Sequence, residues 1–221
     1  SDRSFPWCAI TLVCALIPRV ANSEGNSTAT TRVTTVPTHS GHPALLDYEV
    51  ELQTIFKHDD DKFLWFHPRV AAIPGVGQEH TPAVIMTLQK HLRVDDHFSG
   101  LHVMRTDDLG RVWSEPELKS ELDWVREGNI DVAVVDVTPG WHSRHSKLIA
   151  VGAQVRYNQM GQQLEDIPLA YRTAYTVFDP KTRCWTEWRR LEIPKDKNFS
   201  FALSACAQWL VEPDGSVLLP F

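Results

Sequence analysis

The chain has 221 residues, of which 43% are hydrophobic and 23% charged, a composition typical of a globular protein with a sizeable core. This composition excludes a fully disordered chain. The formal net charge of −6 argues against a nucleic-acid partner, because nucleic-acid-binding proteins concentrate basic residues to neutralise phosphates, and no Lys/Arg cluster is present.

The first 23 residues predict a secretory signal peptide. An early Arg3 precedes an apolar run over residues 5–17, and the small residues at 21–23 supply a cleavage site. A buried N-terminal strand or helix is the alternative. Because the run is shorter than the ~20 residues that cross a bilayer, we expect no membrane span. We expect residues 24–43, rich in Ser and Thr, to form a linker, and the protein to be secreted or periplasmic.

Motifs for several kinds of chemistry are missing from the sequence. It has no Gly-rich phosphate loop, G-x-S-x-G, H-E-x-x-H or C-x-x-C motif, so we predict no cofactor. We assign His142 and His145 to a turn on the far side of the domain and predict no metal site. Cys184 and Cys206 are the cysteines that remain after the predicted signal peptide, and the sequence leaves open whether they form a disulfide or two free thiols.

Residues 44–221 predict an all-β domain, because short apolar runs alternate there with Pro, Gly and Asp. Two kinds of turn recur. Pro-Gly or Pro-Asp-Gly turns precede apolar strands at 73–88, 138–152 and 212–221, and the Trp-containing turn RTDDLGRVWS has a weaker copy, VFDPKTRCWT, 72 residues later. The predicted strands are Phe63–Ile73, Ala83–Gln89, Gly100–Thr106, Val132–Val137, Lys147–Tyr157, Ala170–Phe178, Phe201–Val211 and Ser216–Phe221.

Repetition of sheet-sized units predicts a β-propeller. Since the last residues, DGSVLLPF, stop inside an apolar run, we expect 44–221 to be the N-terminal part of a longer propeller. In such blades both kinds of turn lie on one side of the disc, and a ligand binds on the other, where loops converge. Asp136, Arg156 and Tyr157 are candidate substrate contacts on that side, with ordinary loop polarity as the alternative.

Three segments resemble the sialidase superfamily. Thr106-x-Asp108-x-Gly110-x-x-Trp113 resembles its Asp-box, a structural turn between the third and fourth strands of a blade. FHPRVAAIPG resembles the region whose arginine binds the substrate carboxylate, and VIMTLQKHLRVDDHFSGLHVMRT resembles the segment that carries the acid/base aspartate. The resemblance covers residues 60–120 and implies a propeller, six-bladed when complete, of which this chain holds about three blades.

The resemblance also implies site residues. Arg69 would bind the substrate carboxylate, and Asp96 would be the general acid/base, with Asp95 as the competing candidate. A structural ion pair at Arg69 and solvated acids at 95 and 96 are the alternatives. Near the place of the family's second arginine the chain offers Lys90 and Arg93, at other spacings, and Arg93 is a candidate substrate contact. The third arginine, nucleophilic tyrosine and partner glutamate belong to later blades.

The implied function is a secreted exo-glycosidase that hydrolyses a terminal acidic sugar with retention. A glycan or glycoconjugate is the expected partner, and no obligate protein partner is evident. Two alternatives remain open. One is a propeller that binds glycan or protein without catalysis; the other is a polysaccharide lyase or neutral-sugar hydrolase on the same scaffold, which the missing second arginine favours.

Overall fold

The computed structural model describes residues 9–14, 51–58, 60–92, 96–164, 172–194, 196–199, 203, 206 and 208–221. Within these ranges the chain forms β-strands and short 3₁₀ turns, and no α-helix. The prediction of an all-β protein is therefore confirmed. No helix in the described ranges is long and apolar enough to cross a membrane.

The chain divides into two compact units, residues 1–58 and 59–221. In the first unit, β1 (Ala9–Cys14) pairs antiparallel with β2 (Glu51–Lys57). Strand β1 falls within the predicted signal peptide. The remainder of that segment, like the predicted linker 24–43, lies outside the described residues.

The second unit begins with a four-stranded antiparallel sheet. Its strands are β3 (Leu64–Ile73), β4 (Ala83–His91), β5 (His102–Thr106) and β6 (Glu117–Leu118), and they lie side by side in chain order. The Pro-Gly turn joins β3 to β4 and the Trp-containing turn joins β5 to β6, as predicted.

A second antiparallel sheet repeats this order. It contains β7 (Val125–Glu127), β8 (Ile130–His142), β9 (Lys147–Tyr157), β10 (Arg172–Asp179) and β11 (Cys184–Trp185), with β12 (Arg189–Arg190) also paired to β10. A hairpin of β13 (Leu210–Val211) and β14 (Val217–Leu218) follows. The sequence predicted a strand over 201–211. Among the described residues of this range, Leu210–Val211 forms a strand.

The prediction for β8 was wrong at its carboxyl end. Pro139 and Gly140, read as a turn, continue the strand and pair with Ala150 and Ile149 of β9. The chain reverses instead at Ser143–Ser146, where Ser146 takes a left-handed conformation with φ of 50°. Strand β7 pairs only with the start of β8, so Pro139 disrupts no ladder on that side.

Buried polar side chains of β4 contact the backbone of β8 where the two sheets pack against each other. Gln89 is fully buried and its Nε2 donates to the carbonyls of Ser99 and Val134, at 2.8 and 3.1 Å. Thr87 is also fully buried, and its Oγ1 lies 3.5 Å from the carbonyl of Val137. Because a buried polar group without a partner costs about 1–3 kcal/mol, these contacts fix where β8 lies against β4.

Strand β3 contains a bulge near its amino end, and β8 contains one in its middle. The ladder shifts between Phe66 and Arg69 in β3 and between Val135 and Thr138 in β8. Within these bulges His67 and Asp136 have φ of 54°. A left-handed conformation costs an L-residue roughly 1–2 kcal/mol, and bulges commonly re-aim a side chain next to a functional site.

Gly152 of β9 makes room for the β8 bulge. A Cβ built at residue 152 would lie 2.6 Å from the carbonyl oxygen of Val135, and the atoms of Val134 and Val137 are almost as close, at 2.9 Å. Since these atoms belong to backbone or to buried side chains, the neighbours have little room to move.

We therefore predict that Gly152→Ala lowers the free energy of unfolding by about 1–3 kcal/mol, the usual cost of overpacking. Urea denaturation followed by tryptophan fluorescence measures the loss. Gly128→Asn is the control, because nothing lies within 4 Å of the added Cβ and asparagine tolerates its φ of 64°. Equal stability of the two variants would contradict the tight fit at Gly152.

The turn over residues 106–113, which resembles an Asp-box, is closed by a network of hydrogen bonds. Thr106 Oγ1 donates to Asp108 Oδ1 at 2.8 Å and accepts from the Gly110 N–H at 3.0 Å, while the Val112 N–H donates to Asp108 Oδ1 at 2.9 Å. The Val112 bond, followed by that of Thr106, lowers the pKa of Asp108. The turn follows the carboxyl end of β5, near the β3–β4 turn and away from the bulges. Trp113 ends the motif as a partly buried side chain.

Thr106→Val should cost about 1–3 kcal/mol of unfolding free energy, because it leaves the buried Gly110 N–H without its acceptor. The loss is measured by thermal and urea denaturation. Thr81→Val is the matched control, since its hydroxyl donates to the exposed carbonyl of Gln78 and water replaces that bond. A Thr106 variant as stable as the Thr81 variant would show that the box is dispensable.

Candidate functional site

The two bulges bring His67 and Asp136 into contact. His67 Nε2 lies 3.2 Å from Asp136 Oδ1, and each side chain is about a quarter exposed. Burial lowers the pKa of His67 below its usual value; Asp136 opposes this effect, and Arg69 adds to it. The ring is therefore neutral at pH 7, and we assign Nε2–H as the donor to the Asp136 carboxylate.

Cys206 is the third member of this group. Its backbone N–H donates to the Asp136 carbonyl oxygen at 3.3 Å. Its thiol lies near the Asp136 carboxylate and the Arg69 guanidinium, which act on the thiol pKa in opposite directions. Although much of the residue is exposed, lost hydration of the sulfur raises the pKa of the thiol, and Asp136 raises it further. Cys206 is therefore a neutral thiol donor at pH 7 and not a thiolate.

The three residues occupy equivalent places in the chain. His67, Asp136 and Cys206 are separated by 69 and 70 residues, and each lies in or just before the first strand of a hairpin. All three have φ of 54°. Non-glycine residues in this conformation are uncommon and collect at functional sites, where the surrounding structure holds them. We refer to His67, Asp136 and Cys206 as the bulge triad.

Arg69 is a positively charged neighbour of the bulge triad. It lies two residues after His67 on β3 and is partly buried. Its Nε is buried and has no hydrogen-bond partner among the described residues. Among the described residues, Asp136 forms no ion pair with a Lys or Arg. The charge partner of Asp136 is His67. Arg69 therefore brings a positive charge to this group without forming an ion pair with Asp136 among the described residues.

The loop that carries Asp96 is tied down from two sides. The Asp96 carbonyl accepts from the Tyr157 hydroxyl at 2.9 Å, and the Phe98 carbonyl accepts from Trp124 Nε1 at 2.9 Å. The His97 ring stacks on Trp124, with ring centroids 5.2 Å apart. The Asp96 side chain is exposed, and its charge raises the pKa of His67. Asp96 therefore faces solvent beside the bulge triad.

The predicted site residues separate into three groups. Asp136 contacts His67, and Arg69 and Asp96 are near enough for their charges to act on the pKa of His67. Tyr157 is fully buried and reaches this group only through the Asp96 loop. Arg156 points to the other face of β9, since adjacent strand residues alternate, and pairs with Glu127 at 3.0 Å.

Two further predicted residues, Asp95 and Arg93, lie outside the described residues. The sequence reasoning missed His67 and Cys206. The signal that identifies them is their spacing from Asp136, which is close to the 72-residue offset between the two Trp-containing turns.

Both cysteines that follow the predicted signal peptide, Cys184 and Cys206, are free thiols. In the part of the chain that the structure describes, no three His, Cys, Asp or Glu side chains form a group able to hold a metal ion. Comparison with protein-family models, curated proteins and solved structures gives no match. The functional argument therefore depends on the geometry of the site.

The charges around His67 allow a direct test of this geometry. We predict that Asp136→Asn lowers the pKa of His67 further and that Arg69→Met raises it, since the first removes a neighbouring anion and the second a cation. Titration of the imidazole Cε1–H signals by NMR measures both shifts.

His102 is the internal control for this titration. Burial lowers its pKa as well, but its charged neighbours are Lys90 and Asp123, so neither substitution should move it. If His67 did not respond, or if the two substitutions shifted it in the same direction, the arrangement of Arg69, His67 and Asp136 would be refuted.

Proposed function

We propose that the chain belongs to a secreted enzyme of the sialidase-like β-propeller type that cleaves the glycosidic bond of a terminal acidic sugar. The observation that carries this proposal is the convergence of Arg69, Asp96 and the bulge triad, which come from distant parts of the chain. Sheets β3–β6 and β7–β11 follow the strand order of propeller blades, and β13–β14 would begin a third blade. The sialidase resemblance favours six blades in the complete protein.

Arg69 would bind the sugar carboxylate. A guanidinium presents a planar fork that matches a carboxylate with two hydrogen bonds, whereas a lysine offers a point charge. No ion pair joins Arg69 to Asp136 among the described residues, which supports this role because the guanidinium charge is left for a ligand. Binding of the acidic sugar at Arg69 would orient the neighbouring glycosidic bond.

Asp96 would be the general acid and base. Its exposed carboxyl would give a proton to the departing glycosidic oxygen, and the resulting carboxylate would then take a proton from water. The Tyr157 and Trp124 hydrogen bonds on either side of His97 hold this loop, so little ordering would be needed when substrate binds.

The proposal is tested in the full-length protein without residues 1–23. The substrates are 4-methylumbelliferyl glycosides of sialic acid and of uronic acids, and a neutral galactoside serves for comparison. We expect turnover of an acidic glycoside, a loss of about 10²–10⁴-fold in kcat for Asp96→Asn, and a raised KM for Arg69→Ala. Arg156→Ala is the matched control, since Arg156 pairs with Glu127 outside the cluster.

Thermal unfolding of every variant must match that of the wild type for the kinetic comparison to hold. A well-folded protein that turns over none of these glycosides would remove the glycosidase from consideration. Binding on a glycan array by such a protein would then favour the non-catalytic binding propeller.

A further inference from the structure

Asp136 has the properties of a reacting group. It is held in a left-handed conformation with φ of 54°, at a bulge whose flanking carbonyls, Val134 and Val137, are bonded by Gln89 and Thr87. The surrounding structure thus enforces a conformation that costs the isolated residue free energy. Strain maintained in this way is a mark of functional positions.

The partners of Asp136 are suited to orienting a carboxylate without cancelling its charge. His67 donates a neutral N–H at 3.2 Å, and the neutral Cys206 thiol lies nearby. Among the described residues no Lys or Arg pairs with Asp136. Its negative charge therefore stays available at the site.

Asp136 and Asp96 lie around the same ring. Both carboxylates raise the pKa of His67, so both are within electrostatic reach of the imidazole. They come from different elements, the β8 bulge and the β4–β5 loop. Most glycosidases cleave their substrate with two carboxyl groups, one as the acid/base and one as the nucleophile or the base.

We propose that Asp136 is the nucleophile of the site and that the substrate is a uronic acid glycoside. This inference rests on the proposed function, because it uses Arg69 as the carboxylate-binding residue and Asp96 as the acid/base. It replaces the tyrosine nucleophile that the family resemblance implies with a residue of this chain.

The reaction proceeds in two balanced steps. An Asp136 carboxylate oxygen forms a bond to the anomeric carbon as the bond to the leaving oxygen breaks, and that oxygen takes the proton of the Asp96 carboxyl group. Water then attacks the anomeric carbon and gives a proton to Asp96, and the bond to Asp136 breaks with its electron pair returning to the carboxylate. The substrate is hydrolysed with retention, and both residues return to their initial states.

The charge of Asp136 selects the substrate class. In a sialic acid the carboxylate is attached to the anomeric carbon itself, so an approaching aspartate would meet a like charge at short range. In a uronic acid the carboxylate is attached to C5, across the ring, where Arg69 can bind it away from the attacked carbon. A carboxylate nucleophile beside an arginine therefore fits a uronide better than a sialoside.

Asp136→Gly gives a sharp test in the full-length protein. Glycine accepts the φ of 54° at no cost, so the variant should unfold at or above the wild-type temperature, while it should lose about 10⁴-fold in turnover. Sodium azide should restore turnover by occupying the vacated space, and mass spectrometry and NMR should identify a glycosyl azide of inverted configuration. Asp61→Gly is the matched control, since exposed Asp61 has φ of 58°.

The outcomes separate the two proposals. Uronide turnover that Asp136→Gly abolishes and azide restores as glycosyl azide supports the inference. In another outcome the wild type cleaves an acidic glycoside while Asp136→Gly keeps that activity or loses it without azide rescue. In either case Asp136 is not the nucleophile and the proposed function stands. Preference for the sialoside over every uronide overturns the substrate class. If the wild type cleaves neither, the proposed function fails and this inference fails with it.

Discussion

The arrangement of the site depends on the buried hydrogen bonds from β4 to the backbone of β8. Gln89 and Thr87 bind the carbonyls of Val134 and Val137, which lie on either side of Asp136. Hydrophobic packing between sheets permits small sliding movements, but directional bonds in a dry interior do not. The Gln89 bond therefore holds the backbone of β8 beside the bulge against β4.

Part of this architecture could be predicted because local sequence patterns determine it. Alternating apolar residues identified β9 with its observed bounds, Lys147–Tyr157, and the residues of the Asp-box identified the β5–β6 turn. The end of β8 could not be predicted, since a Pro-Gly pair signals a turn locally. Whether Pro139 disrupts a ladder depends on which strand lies beside it, which is a property of the tertiary structure.

The site was predictable to a similar degree. Arg69 and Asp96 followed from the sialidase resemblance and Asp136 from its place in the predicted topology, and the structure puts Asp136 in contact with His67. The contribution of His67 and Cys206 could not be read from residue type, because a left-handed backbone conformation leaves no composition signal at these residues. Tyr157 was expected at the substrate because it precedes a long polar loop, and in the structure its buried hydroxyl donates to the Asp96 carbonyl.

The equal backbone conformation of the bulge triad has a consequence for how such a site diversifies. Because His67, Asp136 and Cys206 share φ of 54°, the main chain at each position favours residue types that tolerate this conformation, such as glycine, asparagine, aspartate and histidine. Exchange among these types can change the chemistry of the group at little cost to the backbone, whereas a β-branched residue at any of the three positions would be strained.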